Sequence, residues 1–516
     1  MAERDSTFVH RRHLGSESDT GALAHELALF VKSGDWLGLI GDLGAGKTTF
    51  ARALIQALRS DDDTVEVPSP TFTLVQLYDD CRVPVAHFDF YRLTRAGEVE
   101  ELGIDDLADS HLIVAEWAER LGDQLPQDRL MIEFKISGND RAVTLTGYGT
   151  WRKRLARFVD AGDFVNATAP NCERQFLQGD ASTRRYERLI DGVGSTRLLM
   201  DMPAKTEPRP AGGGETYGEQ VHLADDIRAV VAVNQELRRQ GFSAAKVEAV
   251  DMDKGFAIVE DFGDKVYGAM AIGNEDMSEP MTSAVEMLAD VAARQWPADV
   301  KVDHARHILG AYDGGALMTA AGLLMTWFWP IATGQAAPQM RHDEYARLWQ
   351  PLFETLTQDR AVWVLRDYHS PNLIWLPERD GAARVGIIDT QDAVLGPPAY
   401  DLVSLLQDAR VDVADEAETQ LLNHYIARRE QAEPGFDEAQ FRRSYAIMGA
   451  QRAAKILGIF ARLSKRDGKH GYLRHIPRVS HALEKNLAHP ALAAFKHWFA
   501  EHLPADQREA IGSRVQ

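Results

Sequence analysis

Gly41-Asp42-Leu43-Gly44-Ala45-Gly46-Lys47-Thr48 decides how the first third of this chain folds. Apolar Trp36-Leu37-Gly38-Leu39-Ile40 before it reads as a buried strand, and Thr49 to Ile55 after it reads as a helix. Eight residues of the pattern G-x-x-x-x-G-K-[ST] between a strand and a helix form a P-loop. Glycines let backbone N–H groups turn inward toward a phosphate, and the helix N-terminus adds partial positive charge. Lysine neutralises phosphate charge, and the hydroxyl that follows it can hold Mg²⁺. Gly41, Gly44, Ala45, Gly46, Lys47, Thr48 and Thr49 are therefore the expected cradle for ATP. The competing reading is a glycine-rich turn that carries a lysine by accident.

The 516 residues suggest more than one domain, and the formal net charge of −20 offers no basic face for gripping DNA or RNA. Any RNA is expected to be reached through a partner. Two cysteines, Cys81 and Cys172, cannot build a disulfide framework or a four-cysteine zinc site, which suits a reducing cytoplasm. The N-terminal residues lack the apolar core of a signal peptide. Gly314 to Gly334 holds no charged residue and approaches the length of a membrane span. Its glycines, threonines and Pro330, with no basic residue just before it, favour a buried helix, so no membrane association is expected.

Upstream, Asp19 is a plausible N-cap for an amphipathic helix over Thr20 to Val31. Downstream, Phe72 to Leu77, Val83 to Phe88, Leu112 to Ala115, Leu130 to Ile136 and Ala142 to Thr146 read as strands. Alternation with helices predicts an α/β sheet around the nucleotide. A basic helix from Trp151 to Phe158 closes this part, and polar residues 159–172 suit a linker. The expected division is therefore 1–158, linker 159–172 and 173–516. In the last part, Arg184 to Ile190 and Thr196 to Met202 pair around the turn Asp191-Gly192-Val193-Gly194. Ala204 to Thr216 reads as a loop, and helical patterns dominate from Ser278 onward.

Four further segments accompany the P-loop: Ser69-Pro70-Thr71-Phe72, His87-Phe88-Asp89-Phe90-Tyr91-Arg92, Glu100-Glu101-Leu102-Gly103 and Glu116-Trp117. Asp89 and Glu116 end strands, where carboxylates of a metal–triphosphate site belong. GDLGAGKTTF, SPTFTLVQLY, HFDFYRL and EW, in that order, resemble TsaE, the ATPase of bacterial threonylcarbamoyladenosine tRNA modification, over roughly residues 1–155. The resemblance implies ATP hydrolysis by a protein that engages TsaB- and TsaD-like partners, which modify adenosine 37 of ANN-decoding tRNAs. It implies that Lys47 holds phosphates, Thr48 and Asp89 bind Mg²⁺, and Thr71 senses the γ-phosphate. Glu116 would serve the metal or the attacking water, and Trp117 would stack or pack beside the site.

The C-terminal part carries Leu365-Arg366-Asp367-Tyr368-His369-Ser370-Pro371-Asn372, then Ile387-Ile388-Asp389. Phosphoryl transfer to a hydroxyl uses such a set, with one carboxylate to take the proton and an Asn and a second Asp to hold Mg²⁺. Gly179 to Tyr186 could fold over phosphates, and Glu260-Asp261-Phe262-Gly263 suits the hinge that meets adenine. GDASTRRY, LLMDMP, EDFGD, LRDYHSPNL and IIDTQDAVLGPPAYDL resemble the aminoglycoside phosphotransferase and choline kinase superfamily, nearest to the AmgK type that phosphorylates N-acetylmuramate and N-acetylglucosamine at the anomeric position. The resemblance implies an α+β two-lobed protein-kinase-like domain behind an α/β P-loop NTPase domain. It makes Asp367 the catalytic base, Asn372 and Asp389 metal ligands, and Asp401 a brace of the catalytic loop. An amino sugar is the implied substrate, with Glu260 and Phe262 at the adenine.

Two positions depart from the pattern. Leu365 stands where a histidine usually precedes the catalytic aspartate, and Met200 where a basic residue usually covers ATP. Arg184 or Arg185 is a candidate to supply the missing charge. The departures keep a pseudokinase, a binding or regulatory module, open as an alternative. An aminoglycoside- or choline-type kinase is another. No histidine pair has convincing zinc spacing. His87 and His369 read as packed or supporting groups, and Trp327, Phe328 and Trp329 as core.

Overall fold

A computed structural model describes residues 7–59, 67–93, 102–138, 140–177, 184–205, 209, 213–302, 305–356 and 359–512. Glu100, Glu101 and Gly179 to Thr183 lie outside the described residues, as does part of the loop Ala204 to Thr216. The chain divides into two compact units, Met1–Asp201 and Met202–Gln516.

The first unit is built on β1 (Phe8–Leu14), α1 (Glu17–Ala28), β2 (Trp36–Gly41), α2 (Lys47–Leu58), β3 (Val75–Tyr78), β4 (Val85–Asp89), α3 (Ile104–Leu107), β5 (Leu112–Glu116), β6 (Arg129–Ser137), β7 (Asp140–Tyr148) and α4 (Trp151–Thr168). Its seven-stranded sheet has the order β1-β7-β6-β2-β5-β4-β3. The four central strands are parallel, with antiparallel β7–β1 on one edge and antiparallel β3 on the other. Both faces of the parallel core are covered, so β4 and β5 are buried along their whole length. The α/β sheet expected around the P-loop is thus present, and the loop leaves the C-terminal end of β2, where open α/β sheets bind ligands.

Three local expectations are corrected. Ser16, not Asp19, caps α1: its hydroxyl accepts from the Asp19 N–H, while Asp19 Oδ2 accepts from the Gly15 N–H at 2.9 Å. β3 begins at Val75 rather than Phe72, because the Leu74 N–H bonds back to Pro70 O and Leu74 sits at φ +65°. The helix begun at Trp151 runs to Thr168, through most of the segment read as linker, because Leu155, Phe158, Ala161 and Val165 continue one buried stripe. After it, β8 (Glu173–Leu177), β9 (Arg185–Ile190) and β10 (Thr196–Asp201) form an antiparallel meander that also belongs to the first unit.

The second unit opens with α5 (Tyr217–Gln220), α6 (Ile227–Arg239), β11 (Ser243–Ala244) and the hairpin β12 (Val247–Asp251) and β13 (Phe256–Glu260). Then follow α7 (Tyr267–Ile272), α8 (Ser278–Ala293), the hairpin β14 (Asp299–Val302) and β15 (Ala305–Ile308), α9 (Gly314–Ala321), a π-helical turn at Leu324–Phe328, α10 (Trp329–Thr333) and α11 (Gln339–Leu356). Short strands β16 (Val362–Val364), β17 (Leu373–Trp375), β18 (Val385–Ile387) and β19 (Val394–Gly396) frame the kinase-type loop. α12 (Ala399–Leu406), α13 (Asp415–Ala432), the 30-residue α14 (Glu438–Asp467), α15 (Ile476–Leu487), α16 (Ala493–His502) and α17 (Ala505–Gly512) complete it. One apolar core runs through these helices. The apolar stretch Gly314–Thr333 is long enough to cross a membrane, yet half of it is buried inside this unit, with Leu324 and Phe328 fully inaccessible.

Candidate functional sites

In the first unit the strand register brings the acids together. Asp89 and Glu116 are direct partners across β4 and β5, and Glu116 is also level with Leu39 of β2, two residues before the P-loop. Glu116 Oε2 accepts from Thr48 Oγ1 at 2.7 Å, and its Oε1 lies 3.0 Å from His87 Nε2. Asp89 Oδ2 accepts from Thr71 Oγ1 (2.6 Å) and Ser69 Oγ (3.0 Å), and its Oδ1 accepts from the Tyr91 N–H. The residues read from four separate segments thus stand in one series: P-loop hydroxyl, Glu116, its strand partner Asp89 and the Ser69–Thr71 loop. Ser69 was passed over in the sequence, although it stands in the quoted segment two places from Thr71. His87, read as a packed histidine, is fully buried and holds Glu116.

The phosphate cradle fits its ligand. A Cβ on Gly41 would fall 2.4 Å from Phe134 O, so only glycine lets β2 turn there. Gly41, Gly44 and Gly46 all have positive φ, the conformation that turns N–H groups inward. No side chain caps α2, so the N–H groups of its first turn, Lys47 to Thr49 among them, remain for an anion. Lys47 Nζ donates to Gly41 O (2.6 Å) and Asp42 O (2.9 Å) and lies 3.6 Å from the centre of the Trp117 ring. Burial lowers its pKa, opposed by Glu116, Glu119, Asp89 and Asp42. A lysine held by carbonyls and a ring is ready to exchange them for phosphate oxygens. Among the described residues no three His, Cys, Asp or Glu side chains converge as a metal cage. Mg²⁺ does not need one, because it takes one or two protein oxygens and completes its shell with phosphate and water.

In the second unit β16 leads into Leu365-Arg366-Asp367. Asp401, in the first turn of α12, accepts from the Leu365 N–H (2.6 Å) and the Arg366 N–H (2.9 Å). This is the bracing role expected of Asp401. Arg366 sits at φ +68° and donates to Val221 O at 2.7 Å, which pins the strained turn just before Asp367. Asn372 Nδ2 donates to Asp367 O (3.0 Å), and the Ile388 N–H donates to Asn372 O (3.1 Å). Pairing of Leu373 with Ile387 sets Asn372 beside the end of β18, two residues before Asp389, itself at φ +64°. Asp408, which the sequence did not flag, accepts from the Ser370 N–H at 2.8 Å and fixes the middle of the loop.

Asp367 is half-buried. Burial acts to raise its pKa, but His369, Lys455, Arg366 and Arg452 outweigh it, and the carboxyl stays below its ordinary range. Burial also drives His369 down to about 4, leaving a neutral imidazole at neutral pH. Asp367 is thus ionised at neutral pH, with Lys455, Arg366 and Arg452 the standing positive charges that act on it.

The hinge residues behave differently from one another. The Glu260 carboxylate is engaged by Arg379 (2.7 Å) and Arg238 (3.0 Å), so only its backbone carbonyl is left for a ligand. Phe262 presses on Gly386 of β18, where a Cβ would meet its ring at 2.9 Å. Arg185 is corrected. Its guanidinium lies 3.3 Å from the centre of the Phe30 ring and 3.3 Å from both Glu187 and Asp201, which occupies it within the first unit. Arg184 is 9% exposed, and Met200 on β10 is buried.

A P-loop with strand-end acids and a kinase-type Asp–Asn–Asp loop define a class: ATP-dependent phosphoryl chemistry on two different scaffolds. Residues 14–143 match the family model described as threonylcarbamoyl adenosine biosynthesis protein TsaE, and residues 173–441 match the phosphotransferase enzyme family, APH. The N-acetylmuramate/N-acetylglucosamine kinase of Caulobacter vibrioides is 39% identical over 365 residues, 68% of this chain and 97% of that protein. The kinase of the same description from Pseudomonas aeruginosa is 32% identical, over 63% of this chain and 87% of its own length. The tRNA threonylcarbamoyladenosine biosynthesis protein TsaE of Bacillus subtilis is 39% identical over 150 residues, 29% of this chain and 92% of that protein. The chain belongs to the TsaE family over its N-terminal part and to the APH phosphotransferase family over its C-terminal part.

Proposed function

We propose that the chain is a bifunctional cytoplasmic enzyme whose functional division falls near residues 159–172. The N-terminal part hydrolyses ATP in support of threonylcarbamoylation of tRNA adenosine 37, acting with TsaB- and TsaD-like partners that hold the tRNA. The C-terminal part transfers the γ-phosphoryl group of ATP to the anomeric hydroxyl of N-acetylmuramate or N-acetylglucosamine, a reaction of cell-wall recycling. The observation that carries this reading is the Asp367–Asn372–Asp389 loop, intact and braced by Asp401, in a chain that spans 97% of a kinase relative.

At the sugar site the anomeric oxygen attacks the γ-phosphorus while its proton passes to Asp367. The bond from that phosphorus to the bridging oxygen breaks, and ADP leaves with the electron pair. Cations keep Asp367 ionised and able to accept the proton. The same cations repel a positively charged acceptor, which argues against an aminoglycoside, a polycation, and against choline, a single quaternary ammonium. Asn372 and Asp389 are the residues to hold Mg²⁺, which neutralises phosphate charge when bound. The backbone of Glu260 and the ring of Phe262 meet adenine. In the N-terminal site Lys47 and the first turn of α2 take the phosphates, Thr48 and Asp89 take the metal, and Thr71 senses the γ-phosphate. Glu116 orients the attacking water, and Trp117 flanks Lys47.

Full-length protein given ATP and N-acetylmuramate is expected to form the sugar 1-phosphate, and Asp367→Asn to abolish it. A wild-type chain inert toward both amino sugars, with Asp367→Asn changing nothing, would establish a pseudokinase. For the other half, a Lys47→Ala strain is expected to lose threonylcarbamoyladenosine, and a normal level would refute the assignment.

A further inference from the structure

Lys455 stands out among the cations around Asp367. It is half-buried, and among the described residues its hydrogen-bond partner is the neutral hydroxyl of Tyr400, at 3.0 Å. Arg366, by contrast, is buried with its guanidinium on Val221 O, and buried Arg452 donates to Ser404 Oγ. Lysine has three N–H donors, so two remain beyond Tyr400.

Its position is fixed from three sides. On α14, Gln451 donates to Leu317 O of α9 at 3.0 Å, and Gly458 lies so close to Leu323 that a Cβ would fall 2.3 Å from that residue's carbonyl carbon. Lys455 stands four residues after the first and three before the second, on the face turned to α9 and the π-helical turn. Tyr400 adjoins Asp401, which grips the two residues before Asp367. Tyr312 packs edge-on against Tyr400 at 5.2 Å and carries the Arg366 guanidinium 5.0 Å above its own ring. Lys455 therefore stands where α14 meets the apolar insert, its ammonium on the hydroxyl of Tyr400, next to the residue that braces the catalytic loop.

We propose that Lys455 is the specificity residue for an acidic sugar: its ammonium holds the lactyl carboxylate of N-acetylmuramate while Asp367 faces the anomeric hydroxyl. This rests on the sugar-kinase reading above. N-Acetylglucosamine lacks the lactyl group and has nothing to offer Lys455, so the residue sets the preference between the two sugars, beyond the charge it shares with Arg366 and Arg452 in holding Asp367 ionised.

The test compares kcat/KM for both sugars in the full-length chain. Lys455→Met is expected to lower kcat/KM for N-acetylmuramate about 10- to 100-fold, mainly through KM, the size of a lost charge-assisted hydrogen bond. The value for N-acetylglucosamine is expected to fall by a smaller factor, that of one fewer positive charge acting on Asp367, at least about fivefold less than the fall for N-acetylmuramate. Lys455→Arg should restore most of the loss. Equal losses on both sugars, or none on either, would overturn the assignment while leaving the kinase reading intact. A wild-type chain that phosphorylates neither sugar overturns both. The methyl ester of N-acetylmuramate tests the wild-type protein without any substitution: its KM is expected to rise about 10-fold or more, and an unchanged KM refutes the anchor.

Discussion

His87 joins two features that the sequence kept apart. Its imidazole is fully buried on β4 and touches Glu116, which in turn holds Thr48 of the P-loop. Removing it leaves a buried carboxylate short of a partner and free to turn from Thr48. His87→Ala is expected to cut ATP hydrolysis about tenfold, with KM for ATP within about threefold, and His87→Gln to recover part of the rate. Loss of nucleotide affinity instead would show that His87 supports the phosphate cradle. Asp401 offers a pH test. Burial pushes its pKa up to about 7, against the pull of the Leu365 and Arg366 N–H bonds. The folded value thus exceeds the ordinary 3.8, so the folded chain holds this proton more tightly than the unfolded one. Its stabilising contribution is complete below about pH 4 and is lost as pH rises through about 7. The melting temperature of the wild type minus that of Asp401→Asn should therefore shrink between about pH 5 and pH 8. A difference that grows over this range would mean that the two N–H bonds dominate. Lys47, Thr48, Asp367 and Asn372 were legible in the sequence because their chemistry needs them within one turn of chain. Lys455 and Asp408 were not, since what brings them to the loop is the packing of α14 and the end of α12 behind it.

Strands β2, β4 and β5 lie within two residues of their expected limits, because each is a short apolar run that the sheet buries. α4 shows where that reasoning stops. Asp160, Asp163 and Asn166 made its second half read as linker, yet the 3–4 spacing of Leu155, Phe158, Ala161 and Val165 outweighs them. Polar composition misled because one face of a helix can be fully solvated. Close approach of helices was equally invisible. Gly458 costs α14 some helix propensity, and on an open face Ala would gain about 1 kcal/mol there. Against the start of the π-helical turn the sign reverses, since the new methyl would strike the backbone carbonyl carbon of Leu323 at 2.3 Å, an atom that cannot swing away. Gly458→Ala is expected to destabilise the second unit by about 1–3 kcal/mol in denaturant titration. A stabilised variant would show that Leu323 stands clear of α14.

Compactness and sequence division disagree about where the N-terminal body ends. The motif series closes by residue 158, but the first compact unit runs to Asp201. Three contacts tie β8–β10 back to it. Arg157 of α4 bonds Asp201 at 2.6 Å, the Arg185 guanidinium covers the Phe30 ring, and Arg82 lies 3.8 Å from the centre of the Phe176 ring. These join positions 44 to 155 residues apart, which no local pattern reports. Arg185, read in the sequence as a charge for ATP, is spent here on holding the unit together. Each Arg–aromatic contact contributes about 0.5–2 kcal/mol, and a largely buried ion pair leaves a costly orphan when one partner is removed. A fragment of residues 1–172 keeps Phe30, Arg82 and Arg157 but loses what each of them touches. It is expected to melt about 5 °C or more below a fragment of residues 1–201. Arg185→Ala in the longer fragment should recover part of that difference, because it removes one contact and leaves the other two. Equal melting of the two fragments would show that the body ends with α4 and that β8–β10 rest on it without contributing to its stability.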